Sequence, residues 1–162
     1  MAKVLEVWKV HDFVALEKEI NYISDYIELQ RLRIADASNL EYVVSGNPKG
    51  KHISPLVIIP FIENAFKYGV NAEEDWHISI RIDVAENVMT LDVVNNQVSI
   101  SLPEEMTTEQ GIENTQKRLD LVYPGEHELE IDDNEKTFNV HLKIQLSWSG
   151  QSQLTTSRSH LR

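Results

Sequence analysis

The sequence predicts an α+β fold, a two-layer α/β sandwich whose mixed, mostly antiparallel sheet carries its helices on one face. Three observations lead to it. Residues 76–85 alternate, with Ile78, Ile80, Ile82 and Val84 on one side and His77, Ser79, Arg81 and Asp83 on the other, the pattern of a strand with one buried face. Strand-like runs come in pairs: 76–85 with 88–95 around Glu86-Asn87, and 127–133 with 136–147 around Asp133-Asn134-Glu135. Stretches of helical periodicity are interleaved with these hairpins, giving the order helix, strand, helix, hairpin, loop, helix, hairpin.

Residues 11–35 read as one long helix. Val10, Phe13, Val14, Leu16, Ile20, Ile23, Ile27 and Leu32 recur near three- and four-residue spacings, while Glu17, Lys18, Glu19, Asp25, Glu28 and Arg31 fill the other face. Asp12 is the expected cap. Residues 40–45 form a short strand, closed by the turn signal Gly46-Asn47-Pro48-Lys49-Gly50. Residues 54–70 form a second helix, with Ser54 as cap, Pro55 in the first position and Gly69 ending it in a left-handed turn. Pro60 removes one hydrogen bond inside that run, so the helix either starts later or bends there. Residues 96–110 are polar, contain Pro103 and read as a loop. Residues 111–122 return to helix, with Ile112, Leu119 and Val122 apolar, and Tyr123-Pro124-Gly125 ends it. The Ser-, Thr- and Gln-rich tail from Ser149 reads as disordered. The expected division is a helix over 1–35, a globular domain over 36–147 and a tail over 148–162.

The chain has 162 residues, enough for one domain with a core. Its net charge is −11. That sign argues against nucleic acid and against direct contact with an anionic membrane, because phosphate binding needs a basic surface. There is no cysteine, which excludes disulfides, thiol catalysis and thiolate metal sites. No apolar run reaches the roughly 18 residues of a membrane span, and the N-terminus lacks a signal-peptide pattern.

The chemistry is concentrated in residues 54–70. The polar residues inside this apolar run are Glu63, Asn64 and Lys67, close enough in sequence to share one helical face. Asn and Glu oxygens suit Mg²⁺, and Lys suits a polyphosphate. Periodicity alone is also met by an amphipathic core helix whose polar face meets water.

The run Pro55-Leu56-Val57-Ile58-Ile59-Pro60-Phe61-Ile62-Glu63-Asn64-Ala65-Phe66-Lys67-Tyr68-Gly69 resembles the N box of sensor histidine kinases of the LytS/YehU type, with Tyr68 where that family has His. Residues 16–33 are similar to the segment that links the phosphoacceptor helices to the ATPase domain in those kinases. The element order over about residues 10–147 resembles the ATP-binding fold shared by histidine kinases, gyrase, Hsp90 and MutL, the GHKL or Bergerat-type fold.

The resemblance implies ATP and Mg²⁺ as cofactors. Asn64 would hold Mg²⁺, Lys67 a phosphate with Tyr68 beside it, and Glu63 would be catalytic, positioning or deprotonating the attacking group. In Val93-Val94-Asn95-Asn96-Gln97, Asn95 stands where the family has the Asp that binds the adenine amino group, and Gln97 where it has a Gly. An amide oxygen accepts the same hydrogen bond without charge, and so more weakly. On its own, Asn95-Asn96 is also an ordinary strand-ending turn. The run from Gln110 to Pro124 resembles the second Gly-rich motif. Gly111 keeps one glycine and Glu109 replaces the other; Asn114, Arg118, Leu119 and Tyr123 keep the family spacing, and the resemblance implies Gly111, Asn114 and Arg118 as nucleotide-binding residues. Phosphates favour the free N–H groups at a helix start near Gly111, and Glu109 would repel them. Thr137, in Lys136-Thr137-Phe138, would join the adenine hydrogen bonds.

The phosphoacceptor His of this family lies in a Pro-His-Phe-x-x-Asn run, which the chain lacks; His11-Asp12 imitates it only weakly. His52, His77, His127 and His141 lack metal-ligand spacing. The expectation is therefore the ATP-binding catalytic domain of a two-component sensor kinase. Its partners would be the phosphoacceptor helices of the parent chain, a response regulator and a second copy in the full-length protein. It would be a cytoplasmic domain of an inner-membrane parent. The competing reading, favoured by Asn95, Gln97 and Glu109, is a non-catalytic docking module of the same fold.

Overall fold

The computed structural model describes residues 13–70, 75–97 and 109–146. In chain order the elements are β1 (Val14–Ala15), α1 (Leu16–Arg33), β2 (Leu40–Gly46), β3 (His52–Ile53), α2 (Ile59–Gly69), β4 (Ile78–Ala85), β5 (Val88–Asn96), α3 (Glu109–Val122), β6 (His127–Asp133) and β7 (Thr137–Gln145). Five strands form one sheet in the order β2-β4-β5-β7-β6. β2 runs parallel to β4, from Leu40 opposite Ile78 to Gly46 opposite Val84, and the other neighbours are antiparallel. The expected mixed sheet and both hairpins are present. β1 and β3 make a separate two-stranded ribbon, pairing Val14 with Ile53.

Alternation decides which face is covered. Ile78, Ile80, Ile82 and Val84 of β4, Met89, Leu91 and Val93 of β5, and Val140, Leu142 and Ile144 of β7 are all buried. They lie in one core with Leu16, Ile20, Ile23 and Ile27 of α1, Phe61 and Ile62 of α2, and Leu119 of α3. Each fully buried side chain of this size contributes about 1.5–3 kcal/mol. The opposite face is polar and half-exposed. There Arg81 pairs with Glu41 at 2.8 Å, and His141 Nδ1 lies 2.6 Å from Asp92 Oδ1.

Glycine is required where β2 ends. Gly46 has φ 85°, and a Cβ there would lie 1.9 Å from the Val84 carbonyl oxygen. The close approach lets the Asn47 N–H reach that same oxygen at 3.2 Å.

Several expected boundaries move. The first helix starts at Leu16, because Val14 and Ala15 are held as a strand against β3. Its core stripe is Leu16, Ile20, Ile23 and Ile27; the next positions on that face are 30 and 34, so Leu32 falls off it and is 84% exposed. Glu17 and Glu19 in the first turn and Arg31 and Arg33 in the last complement the helix dipole. The expected cap Asp12, the stripe residue Val10, most of the 96–110 loop and the tail from Ser149 lie outside the described residues.

Residues 54–58 do not belong to the second helix, which begins at Ile59. A start at Pro55 would have buried Pro60 in the helix interior, without an N–H and with its ring against the preceding turn. Starting at Ile59 puts Pro60 in the first turn, where no N–H is needed. Gly69 is the last residue of α2 and takes no left-handed turn; the chain leaves through Val70 at φ −116°.

Candidate functional site

The role of Gly69 is close approach. A Cβ there would meet Asn95 Cβ at 3.0 Å and Ile78 Cγ1 at 3.1 Å. The end of α2 is thus pressed onto the end of β5 beside Asn95. Asn95 is fully buried. Its Nδ2 donates to the Asn96 carbonyl at 3.1 Å, which fixes the amide with Oδ1 as the open acceptor. Oδ1 is itself buried and meets no hydrogen-bond donor among the described residues. Leaving such an acceptor unmatched is unfavourable by about 1–3 kcal/mol.

Within α2 the three polar residues have different surroundings. Asn64 is buried, Lys67 is half-buried and Glu63 is exposed. Lys67 Nζ lies 5.6 Å from the centroid of the half-buried Tyr68 ring. Glu63, Phe66 and Lys67 line an open groove of about 380 Å³ whose other wall is Tyr26 and Gln30 of α1. Tyr26 stands edge-on to Phe66, with ring centroids 5.8 Å apart. Burial pushes the Tyr26 hydroxyl up to about 12, and the Glu63 carboxylate adds to the shift while Arg33 opposes it. At neutral pH Tyr26 is a neutral donor beside a carboxylate.

α3 packs against α2. Gly111 is the third residue of α3, inside the turn whose N–H groups lack acceptors within the helix. Among the described residues, a Cβ at Gly111 would meet nothing within 4 Å. Asn114 is exposed. The Thr115 hydroxyl donates to the Gly111 carbonyl at 2.8 Å.

Two of the expected residues face other partners. Arg118 Nη2 donates to Ser54 Oγ at 3.2 Å, ahead of α2. Thr137 is opposite Asn96 at the start of β7, so by alternation its side chain lies on the other sheet face from Asn95. Its hydroxyl sits in the β6–β7 turn, accepting from Asn134 Nδ2 at 3.1 Å. Gln97 is also tied into that turn, with its N–H on the Lys136 carbonyl at 2.8 Å and its side chain on Asp133.

Sequence reasoning missed Tyr26, Gln30 and Ser54 as members of this region. Tyr26 and Gln30 read as unremarked positions on an amphipathic helix, and only the packing of α1 beside α2 brings them to Glu63. Among the described residues no group of three or more His, Cys, Asp or Glu is placed to hold a metal ion. None of the described helices is long and apolar enough to cross a membrane.

The five-stranded mixed sheet with the three described helices is the fold of histidine-kinase catalytic domains. The Acinetobacter baumannii histidine kinase AdeS superimposes with a TM-score of 0.55 at 10% identity, covering 90% of this chain and 73% of that one. The histidine kinase ThkA, solved in complex with the response regulator protein TrrA, gives 0.52 at 15% identity, covering 86% and 42%. In sequence, the Staphylococcus aureus sensor protein kinase HptS is 30% identical over 101 residues. That match covers 62% of this chain and 19% of HptS, so the chain corresponds to about a fifth of the relative. No family model matches the chain.

Proposed function

We propose that the chain binds Mg·ATP and is the catalytic part of a two-component sensor kinase of the LytS/YehU type, transferring the γ-phosphate to a histidine on phosphoacceptor helices outside this sequence. The observation that carries this reading is the fully buried Oδ1 of Asn95, which meets no hydrogen-bond donor among the described residues. A buried acceptor without a donor is unfavourable, and the exocyclic amine of adenine is the donor that would satisfy it.

The other residues supply the polyphosphate end. Asn64 would place an amide oxygen on Mg²⁺, which takes one or two protein oxygens and completes its shell with phosphates and water. Lys67 and Tyr68 would face the phosphates, and the free N–H groups around Gly111, with Asn114 beside them, would receive them at the start of α3. Glu63, exposed on the groove, would take the imidazole proton as the attacking nitrogen bonds to phosphorus and ADP leaves. Such transfer rests on positioning and charge stabilisation. The sensor-kinase relative and the ThkA–TrrA complex support a response regulator as the partner that next receives the phosphoryl group. The likeness to part of a longer sensor kinase also supports a parent with a membrane sensor, this domain lying on its cytoplasmic side, and the full-length protein would be a homodimer.

A second reading rests on Gln97. Its side-chain amide donates to Asp133, a tie across the turn that a glycine could not make, as in a docking module with little or no nucleotide affinity. Calorimetric titration with ATP, with and without Mg²⁺, separates the two. The kinase reading expects saturable binding strengthened by Mg²⁺, with the Mg²⁺ effect lost in Asn64→Ala. No heat at millimolar ATP leaves the docking module.

A further inference from the structure

The residues leading into α2 are gripped from both sides by groups that the chemistry above does not use. The N–H of fully buried Ser54 donates to Tyr123 Oη at 2.8 Å, and Ser54 Oγ accepts from Arg118 Nη2 at 3.2 Å. Two residues later Leu56 takes φ 60°, a left-handed conformation that bulky side chains avoid. Its N–H donates to Glu19 Oε2 of α1 at 3.3 Å. Tyr123 is wholly buried, stands edge-on to Phe13, and is fixed by its own N–H on the Leu119 carbonyl at 2.8 Å. The end of α3 and the start of α1 therefore pinch the five residues that precede Ile59.

That grip lies immediately ahead of the start of α2, which the place of Pro60 in the first turn also favours. A helix turns about 100° and rises 1.5 Å per residue, so a start shifted by one residue swings every side chain to another face. α2 has 11 residues and no side-chain cap at its start. Its register thus rests on what holds residues 54–58 together with Pro60. We infer that Arg118, Tyr123 and Ser54 are positioning residues, aligning Asn64 with Asn95 for the Mg·ATP site, and that Arg118 acts on Ser54 rather than on a phosphate. The inference rests on the nucleotide reading for its functional consequence, and on the hydrogen bonds alone for its structural one.

The test uses the full chain carrying Tyr123→Phe, Ser54→Ala, Arg118→Gln or Arg118→Lys, well below the unfolding temperature. Two quantities are read: amide hydrogen exchange along the chain, and ATP affinity with and without Mg²⁺. Tyr123→Phe and Ser54→Ala should speed exchange in α2 selectively over β4, β5 and β7. Each should cut the Mg²⁺-dependent gain in affinity by about tenfold, the size expected when a buried N–H or hydroxyl partner is lost. ATP affinity without Mg²⁺ should fall less than that gain, because Asn95 lies on β5 and only Lys67 and Tyr68 move with α2. Arg118→Gln should match Ser54→Ala, and Arg118→Lys should recover part of the gain. A fall in Mg²⁺-free affinity in Arg118→Gln, with Ser54→Ala silent, would identify a phosphate ligand and overturn the inference. Uniformly faster exchange with an unchanged Mg²⁺ effect would also overturn it. If the unmodified chain binds no ATP, the nucleotide reading fails alone: selective loss of protection in α2 still upholds the grip, and unchanged protection removes it.

Discussion

Asp92 and Asn95 lie on the same strand, three residues apart, and face opposite sides of the sheet. Asp92 is half-exposed and has a partner, His141 Nδ1 at 2.6 Å. Asn95 is fully buried, and its acceptor oxygen meets no donor among the described residues. Water makes the outer pair cheap to keep or lose, because exposed charges are screened and the polar groups stay solvated. The inner amide has no such cushion. In the reading proposed above, the polar group in the more hostile place, with the poorer match, serves a ligand rather than stability. That asymmetry is why the inner face is read as the chemical one.

The contrast can be broken at several strengths. The largest effect is expected from the covered face itself. Ile80→Ala should lower unfolding free energy by about 2–5 kcal/mol in a denaturant titration, through lost burial and a residual cavity. A loss below 1 kcal/mol would mean that the helices do not seal that face.

Gly69→Ala comes next. The added Cβ would crowd Asn95 and Ile78, an overpacking worth about 1–3 kcal/mol, partly offset by the better helix propensity of Ala. It should also weaken ATP binding by displacing Asn95. A stabilised variant with unaltered binding would show that the close approach is not needed.

Asn95→Leu should act in the opposite sense on the two readouts. Removing the open buried acceptor should leave stability unchanged or raise it by about 1 kcal/mol, after the lost bond to Asn96 is counted. ATP binding should disappear. A marked loss of stability would make Asn95 a structural amide, as in an ordinary strand-ending turn.

The smallest effect is on the outer face. Arg81→Ala removes the bond to Glu41 and should change stability by less than about 1 kcal/mol, with ATP binding untouched. A larger change would erase the difference between the faces.

The sheet was legible because its period is two. Ile78, Ile80, Ile82 and Val84 announce their face, and a one-residue slip would expose all of them. The helix starts were less legible, since they depend on contacts distant in sequence. Val14 and Ala15 leave the helical pattern only because β3 pairs with them. Ser54 looks like a cap, but Tyr123 and Arg118, more than sixty residues away, claim its N–H and hydroxyl. Pro60 did carry the right signal, since a proline in an interior turn argues for a later start. In the candidate site, residue types pointed to Glu63, Asn64 and Lys67 and the family resemblance to Asn95, but only the fold brings Tyr26 and Gln30 to the groove beside Glu63. The side of the strand on which Thr137 lies follows from its register opposite Asn96, which no local pattern encodes.

The central claim is that the Asn95 amide oxygen receives the adenine amine. The most direct measurement follows the side-chain amide signals of Asn95 by NMR while ATP is added to the isotope-labelled chain. Saturable shifts in those signals, reproduced by adenosine but not by inorganic triphosphate, are predicted. If Asn95 stays unmoved while ATP perturbs residues elsewhere, or if nothing moves at millimolar ATP, the account is contradicted.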